Sequence, residues 1–252
     1  MLLCIAQHLM TRVLILAGAV LAAAVFPQTV ETAAVNRVLT AAIPASQLTH
    51  LDLVALDGTV DLKADPNPAA TAVTISVALD PPRMHNFKRP VSADLAAVEL
   101  ALHAEGNVLR VGLTNARAGN IEASWTITVP ARFSARIDAH NGAVVVEGLT
   151  GGLEAGVNAG LGGGRGAIDV TVPRGRLLLS MGVGNIRATR TDAAFGSAVV
   201  GATVGDAELY LLGHEIVAPH APGPGHKVSL DGKGGDVLSL KVSVGDVSLK
   251  IG

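Results

Sequence analysis

The sequence predicts an all-β protein: a β-solenoid or stacked β-strand repeats, with an N-terminal antiparallel β region. Three observations predict it. A short phrase of an apolar residue, a glycine and an Asn or Asp returns as Val183-Gly184-Asn185, Val204-Gly205-Asp206 and Val244-Gly245-Asp246. Its glycines are 21 residues apart (184 to 205) and then 40 apart (205 to 245), and 21 residues is short enough for one coil of a β-solenoid. Apolar and polar residues alternate with period two between turn signals, and no segment after residue 26 keeps a 3.6-residue apolar period for three turns.

Composition sets the kind of interior. Of the 252 residues 49% are hydrophobic but only 2% aromatic, so the apolar content is nearly all Ala, Val, Leu and Ile, which suits a narrow core. The 29 glycines follow no three-residue period and read as turn positions, which excludes a collagen-like chain. A net charge of −2 supplies no basic field for nucleic acid.

Residues 1–26 form a separate unit. One Arg and one His precede an unbroken apolar run, Val13 to Phe26, and Pro27 ends it. This is the layout of a secretory signal, with Ala22-Ala23-Ala24 as a cleavage site. The alternative is an uncleaved membrane anchor through residues 13–26; either predicts an extracytoplasmic protein in the periplasm, envelope or medium. The only cysteine, Cys4, lies in this leader, so the remainder has no disulfide, no zinc–thiolate site and no cysteine nucleophile.

Residues 27–47 read as a linker and 48–120 as the antiparallel region. Leu51, Leu53 and Ala55 alternate up to Asp57-Gly58, read as a hairpin turn into Val60 and Leu62. Val73, Ile75, Val77 and Leu79 continue the pattern, and Pro81 to Pro90 breaks it as an exposed loop. Val98, Leu100 and Leu102 pair with Val108 and Val111 across Glu105-Gly106-Asn107. Residues 121–252 read as solenoid-like repeats: Trp125, Ile127 and Val129; Val144 and Val146 after Asn141-Gly142; Ile168, Val170 and Val172; and finally Leu238, Leu240, Val242 and Val244, then Val247, Leu249 and Ile251. That alternation points Val244 inward and Ser243 outward. The last strand, Val247 to Ile251, is expected to be an open edge able to pair with another chain.

Trp125-Thr-Ile-Thr-Val-Pro130, then Asn141-Gly142-Ala-Val144-Val-Val146-Glu-Gly148-Leu149-Thr-Gly151-Gly152 and the later Gly-Asn and Gly-Asp coils, resemble the bacterial putative-adhesin family of exported β-strand-repeat proteins, also called toast-rack-like. The resemblance spans roughly residues 48–252. It implies a stacked β fold outside the cytoplasm and no established enzymatic role, and it transfers no catalytic residue, because the shared positions are turns and core.

The chemistry-bearing residues support no catalytic, cofactor or metal site. Gly160 to Gly166 lacks the Gly-Lys-Ser/Thr ending and the following helix of a phosphate loop. Gly232-Lys-Gly234-Gly235-Asp236 is a single imperfect copy of a calcium-binding nonapeptide, which works only in consecutive copies, so Asp206, Asp236 and Asp246 read as turn caps. His214, His220 and His226 lie in a proline-rich insertion whose spacing matches no metal motif; a metal-binding envelope protein through this His-rich loop is one alternative. No Gly-x-Ser-x-Gly elbow occurs. A carbohydrate-active enzyme on a β-helix is the other alternative, since coils can bring Glu154 or Asp169 near Glu147. Trp125 reads as core in preference to a sugar-stacking platform. The expectation is a non-enzymatic cell-envelope or surface module, an adhesin or scaffold, with an unknown envelope partner and no cofactor.

Overall fold

A computed structural model of the chain describes residues 28–32, 37–81, 95–117, 119, 121–158, 165–217 and 225–252. The leader, most of the Pro81 to Pro90 loop, Gly160 to Gly164 and His220 lie outside the described residues. In chain order the strands are β1 (Gln28–Thr32), β2 (Arg37–Pro44), β3 (His50–Asp65), β4 (Ala72–Asp80), β5 (Glu99–Glu105), β6 (Val108–Thr114), β7 (Glu122–Pro130), β8 (Ser134–Glu147), β9 (Leu153–Val157), β10 (Arg165–Val172), β11 (Leu177–Arg190), β12 (Ser197–Val204), β13 (Ala207–Leu211), β14 (His214–Glu215), β15 (His226–Asp231), β16 (Val237–Val244) and β17 (Val247–Ile251). The fold is all-β, and among the described residues the one helix is a 3-10 turn at Leu95–Ala97.

Two walls face each other across one core. The first runs β5, β6, the start of β3, the start of β8, β9, the start of β11, β16, β12 and β15. The second runs β1, β2, β4, β7, the end of β3, the end of β8, β10, the end of β11, β17, β13 and β14. Strands β3, β8 and β11 belong to both walls because each bends at a corner midway. Parallel pairing between successive coils joins them into a stack, and Leu, Ile and Val from both walls fill a single apolar cluster.

The corner explains a regularity in the burial pattern. Residues 51, 53 and 55 are buried, then 60 and 62; likewise 135, 137 and 139 then 144 and 146; 177, 179 and 181 then 186 and 188; 238, 240 and 242 then 247, 249 and 251. Each coil therefore shifts its inward alternation by one residue across four corner positions, the third always glycine: Gly58, Gly142, Gly184 and Gly245. Inward stays inward around a bend only if the phase changes there, since residues alternate faces with a period of two. Gly58 pairs with Gly142, Gly142 with Gly166 and Gly166 with Gly184. Gly245 stands next, against Gly184, and Gly205 stands against Gly245. At Gly142 (φ +113°) and Gly245 (φ +131°) the backbone enters the region that L side chains rarely adopt, and a Cβ there meets the carbonyl oxygen of the glycine one coil away. The stack needs glycine for both reasons.

Four sequence expectations change. The segment 27–47, read as a linker, contains β1 and β2, and β2 pairs along its whole length with β4. Asp57-Gly58 is a corner inside one 16-residue strand, not a hairpin turn, and β3 pairs in parallel with β6, β7 and β8. The predicted β5–β6 hairpin is present, with Leu102 opposite Val111, and β4 runs antiparallel to both β2 and β7, so with the parallel pairings of β3 the N-terminal region is mixed. Val244 is 46% exposed because it occupies a corner position, where the phase shift overrides strict alternation.

A further change concerns order. The three Gly-Asn and Gly-Asp corners do stack in register, but Gly245 lies between Gly184 and Gly205. Strand β17 is parallel to β11 on one side and to β13 on the other, so Val247 to Ile251 is an interior strand with both edges used. The last coil is inserted between two earlier ones.

Candidate functional site

The corner edge carries a ladder of side chains that follows from the register. On the early coils the residue before the glycine takes part: Asn141 Nδ2 donates to Asp57 Oδ1 at 2.8 Å, and Asn141 Oδ1 accepts from the Arg165 amide at 3.1 Å. On the later coils the residue after the glycine does so: Asn185 Oδ1 accepts from the Asp246 amide at 3.0 Å, and Asp246 Oδ1 from the Asp206 amide at 3.1 Å. Short Asx side chains suit this work because they reach a backbone amide one strand away without burying a long stem. Asp206 ends the ladder and pairs with His226 Nδ1 at 3.0 Å.

Asp57 is the most strongly held of these acids. Burial pushes its carboxyl up, but hydrogen bonds from His140 (Nδ1 at 2.9 Å), Asn141 and the Gly119 amide, with the His140 charge, outweigh this and hold it below the usual aspartate range.

Two open clefts flank the stack. One, of about 210 Å³, lies on the outer face of the second wall beside the corner. Parallel register sets its rows: Arg187 opposite Ser248 and Ser248 opposite Glu208, with Asn185, Asp246 and Asp206 in the row above. The other, also about 210 Å³, lies where β3, β8 and β9 begin, with His50 and Ser134 as register partners on β3 and β8 and Glu154 and Arg176 nearby. There His50 Nδ1 and Ser134 Oγ are 2.7 Å apart. Sequence inspection links no serine to a histidine 84 residues away, and only the β3–β8 register reveals the pair.

The residues singled out from sequence separate as follows. Asp206 and Asp246 meet in the corner cleft, whereas Asp236 lies at the opposite edge, where it accepts from Arg190 and from the Gly175 amide at 3.1 Å. Glu147 is on the second-wall half of β8 and Glu154 on first-wall strand β9, so these two are not brought together; Asp169 lies opposite Val145, diagonal to Glu147. His226 belongs to β15, opposite Ala202, and His214 to β14; among the described residues no group of three His, Cys, Asp or Glu is arranged to hold a metal. Trp125 is 1% exposed, inside the core, which removes it as a sugar-stacking platform.

Each carboxylate of the corner cleft already has a structural neighbour. Asp246 holds the Asp206 amide, Asp206 holds His226, and Glu208 Oε2 accepts from the Tyr210 hydroxyl at 3.3 Å. This cleft presents carboxylates, the Ser248 hydroxyl and one guanidinium to solvent.

No protein-family model matches the chain, and no curated protein matches it. Among solved structures, the fold is shared with a putative cell adhesion protein from Clostridium sporogenes, at a TM-score of 0.50 and 12% identity, over 90% of this chain and 100% of that one. A putative adhesin from Parabacteroides merdae aligns over 85% of this chain and 77% of its own at 12% identity with a TM-score of 0.33, and one from Bacteroides fragilis over 84% and 96% at 14% identity with a TM-score of 0.30.

Proposed function

We propose that this chain is an exported, non-enzymatic cell-envelope or surface module of the adhesin type, which presents the polar outer faces of its two walls to a partner. The observation that carries this reading is the fold held in common, along nearly the whole chain, with the Clostridium sporogenes cell adhesion structure. The stack itself supports it. Inward positions are spent on Leu, Ile and Val, while outward positions of the same strands carry Asp, Glu, Arg, Lys, Ser and Thr at about 4.8 Å between coils. Such a face offers a regular two-dimensional array of donors and acceptors. Residues 1–26 deliver the chain across a membrane or hold it there.

The experiment has two arms. Cells expressing the whole chain are fractionated, and purified residues 27–252 are tested for retention on bacterial surfaces, extracellular-matrix proteins and immobilised polysaccharides. The expected result is extracytoplasmic recovery with retention on at least one surface, reduced when Arg187, Glu208 and Asp246 are replaced together. Cytoplasmic recovery, or cleavage of a polysaccharide without retention, overturns the reading.

A further inference from the structure

The inserted last coil has a consequence beyond surface recognition. Among the described residues, strands β12 and β13 pair with β14, β15, β16 and β17 and with no earlier coil, so every described ladder that ties 197–231 to the rest of the stack passes through residues 237–251. That coil buries Leu238, Leu240, Val242, Val247, Leu249 and Ile251, each at most 3% exposed, in a slot with β11 on one side and β12 and β13 on the other. Until it arrives, β11 and the β12–β15 unit each present an unpaired parallel edge.

We propose that residues 237–252 are an exchangeable coil, and that a second copy of this chain completes the slot to give a strand-exchanged dimer. The slot reads backbone hydrogen bonds and six aliphatic side chains, and another copy supplies them identically. The connection is built for both outcomes. Asp231 and Val237 both sit opposite Ser197, on its two sides, so residues 232–236 arch over the start of β12. Three of those five are glycine. The arch is held by the Gly232 amide on Gly196 O (2.8 Å), the Gly234 amide on Phe195 O (2.6 Å) and the Gly196 amide on Asp236 O (2.8 Å). Only this arch differs between a coil in its own slot and one in a neighbour's. The two states therefore differ in hinge free energy and concentration alone.

The arch must cross two strand spacings, about 9.6 Å, and clear the Phe195-Gly196 backbone beneath it. Deleting Lys233, Gly234 and Gly235 leaves three Cα steps, about 10–11 Å when fully extended, which reach only along a straight line through that backbone. The shortened chain cannot fill its own slot but fills a partner's. In a Cys4→Ser background it is expected to elute at twice the monomer mass with a cooperative melt. A folded monomer overturns the proposal.

A second measurement stands even where the deletion fails to fold. With the full hinge, Arg187→Cys and Ser248→Cys place thiols on register partners of β11 and β17, within disulfide reach in either state. After refolding at rising protein concentration, a growing disulfide-linked dimer band is expected on a non-reducing gel. Exclusively intramolecular bonding at every concentration overturns the proposal.

Discussion

The guanidinium of Arg190, only 1% exposed, lies 2.7 Å from the carboxylate of Asp236, which is 46 residues further along the chain. Arg190 also donates to the carbonyls of Asp192 (2.9 Å), Gly175 (2.6 Å) and Ala194 (2.5 Å). One side chain thus ties the end of β11 to the returns before β11, β12 and β16 on the edge opposite the glycine corners. A buried charge is tolerable because each of its three nitrogens has an acceptor.

Replacing Arg190 by Ala is expected to cost about 2–4 kcal/mol, because it removes a buried side chain and its four hydrogen bonds, while the acceptors, which lie on exposed or partly exposed residues, recover water in part. Asp236→Asn keeps an acceptor for Arg190 and is expected to cost less than half as much. Urea unfolding of both variants checks this. Equal losses mean that the charge of Asp236, not the hydrogen-bond set of Arg190, carries the stability.

Gly245→Ala puts a methyl group against the Gly184 carbonyl on a backbone with φ +131°, whereas a Cβ on Gly235 meets nothing within 4 Å. The first substitution is expected to lower stability by at least about 2 kcal/mol from strain and overlap, and the second by less than about 0.5 kcal/mol. Thermal melts of the pair distinguish a required glycine from a merely permissive one.

All-β class, scarce helix, the β5–β6 hairpin and the inward Trp125 were legible because each rests on local alternation or local turn residues. The corners were half legible. Glycine beside an Asn or Asp marks a bend, but Asp57-Gly58 bends one strand instead of joining two, and only its parallel partners β7 and β8 decide that. The one-residue phase shift is present in the sequence as five-residue steps from Ala55 to Val60, Ala139 to Val144 and Val242 to Val247, but strict two-residue alternation masks it. Insertion of the last coil was not legible, because the near-identical corner phrases at 184, 205 and 245 fit any stacking order. The His50–Ser134 and Arg190–Asp236 pairs depend on separations of 84 and 46 residues and carry no local signal.

The phase shift itself is testable. Val242 is 3% exposed and Val244 46% exposed, two residues apart on one strand. Val242→Asp is expected to destabilise by several kcal/mol or prevent folding, since it buries an unpaired carboxylate, while Val244→Asp costs less than about 1 kcal/mol. Circular dichroism melts of the two variants give the order directly. If Val244→Asp is the more damaging, the corner does not change the phase.

Removing His226 tests the end of the Asx ladder. Its pair with Asp206 joins side chains that are 42% and 70% exposed, so His226→Ala is expected to cost no more than about 1 kcal/mol at low salt and less at high salt. Wild type and the variant with His214, His220 and His226 all replaced by Ala, each titrated with Zn²⁺, check the metal reading of that loop, and the melting temperatures of both are expected to stay almost unchanged. A zinc-dependent rise in wild-type melting temperature that is absent in the triple Ala variant establishes a metal site there.

The pH dependence follows from Asp57. Its folded carboxyl lies below the ordinary aspartate value of 3.8 because the bonds from His140, Asn141 and Gly119 outweigh the burial that opposes them. A depressed folded pKa means that the unfolded chain takes up the proton first, so the stabilisation is complete above the unfolded value and is lost as pH falls through the folded one. Asp57→Asn removes the ionisation but keeps an oxygen for the Asn141 amide. Wild type is therefore expected to exceed Asp57→Asn in stability at pH 7, with the gap shrinking steadily once the pH drops below about 4. Guanidinium unfolding of both proteins across that range measures the gap; a difference that stays constant from pH 7 to the acid limit shows that the Asp57–His140–Asn141 corner is held by neutral hydrogen bonds and not by charge.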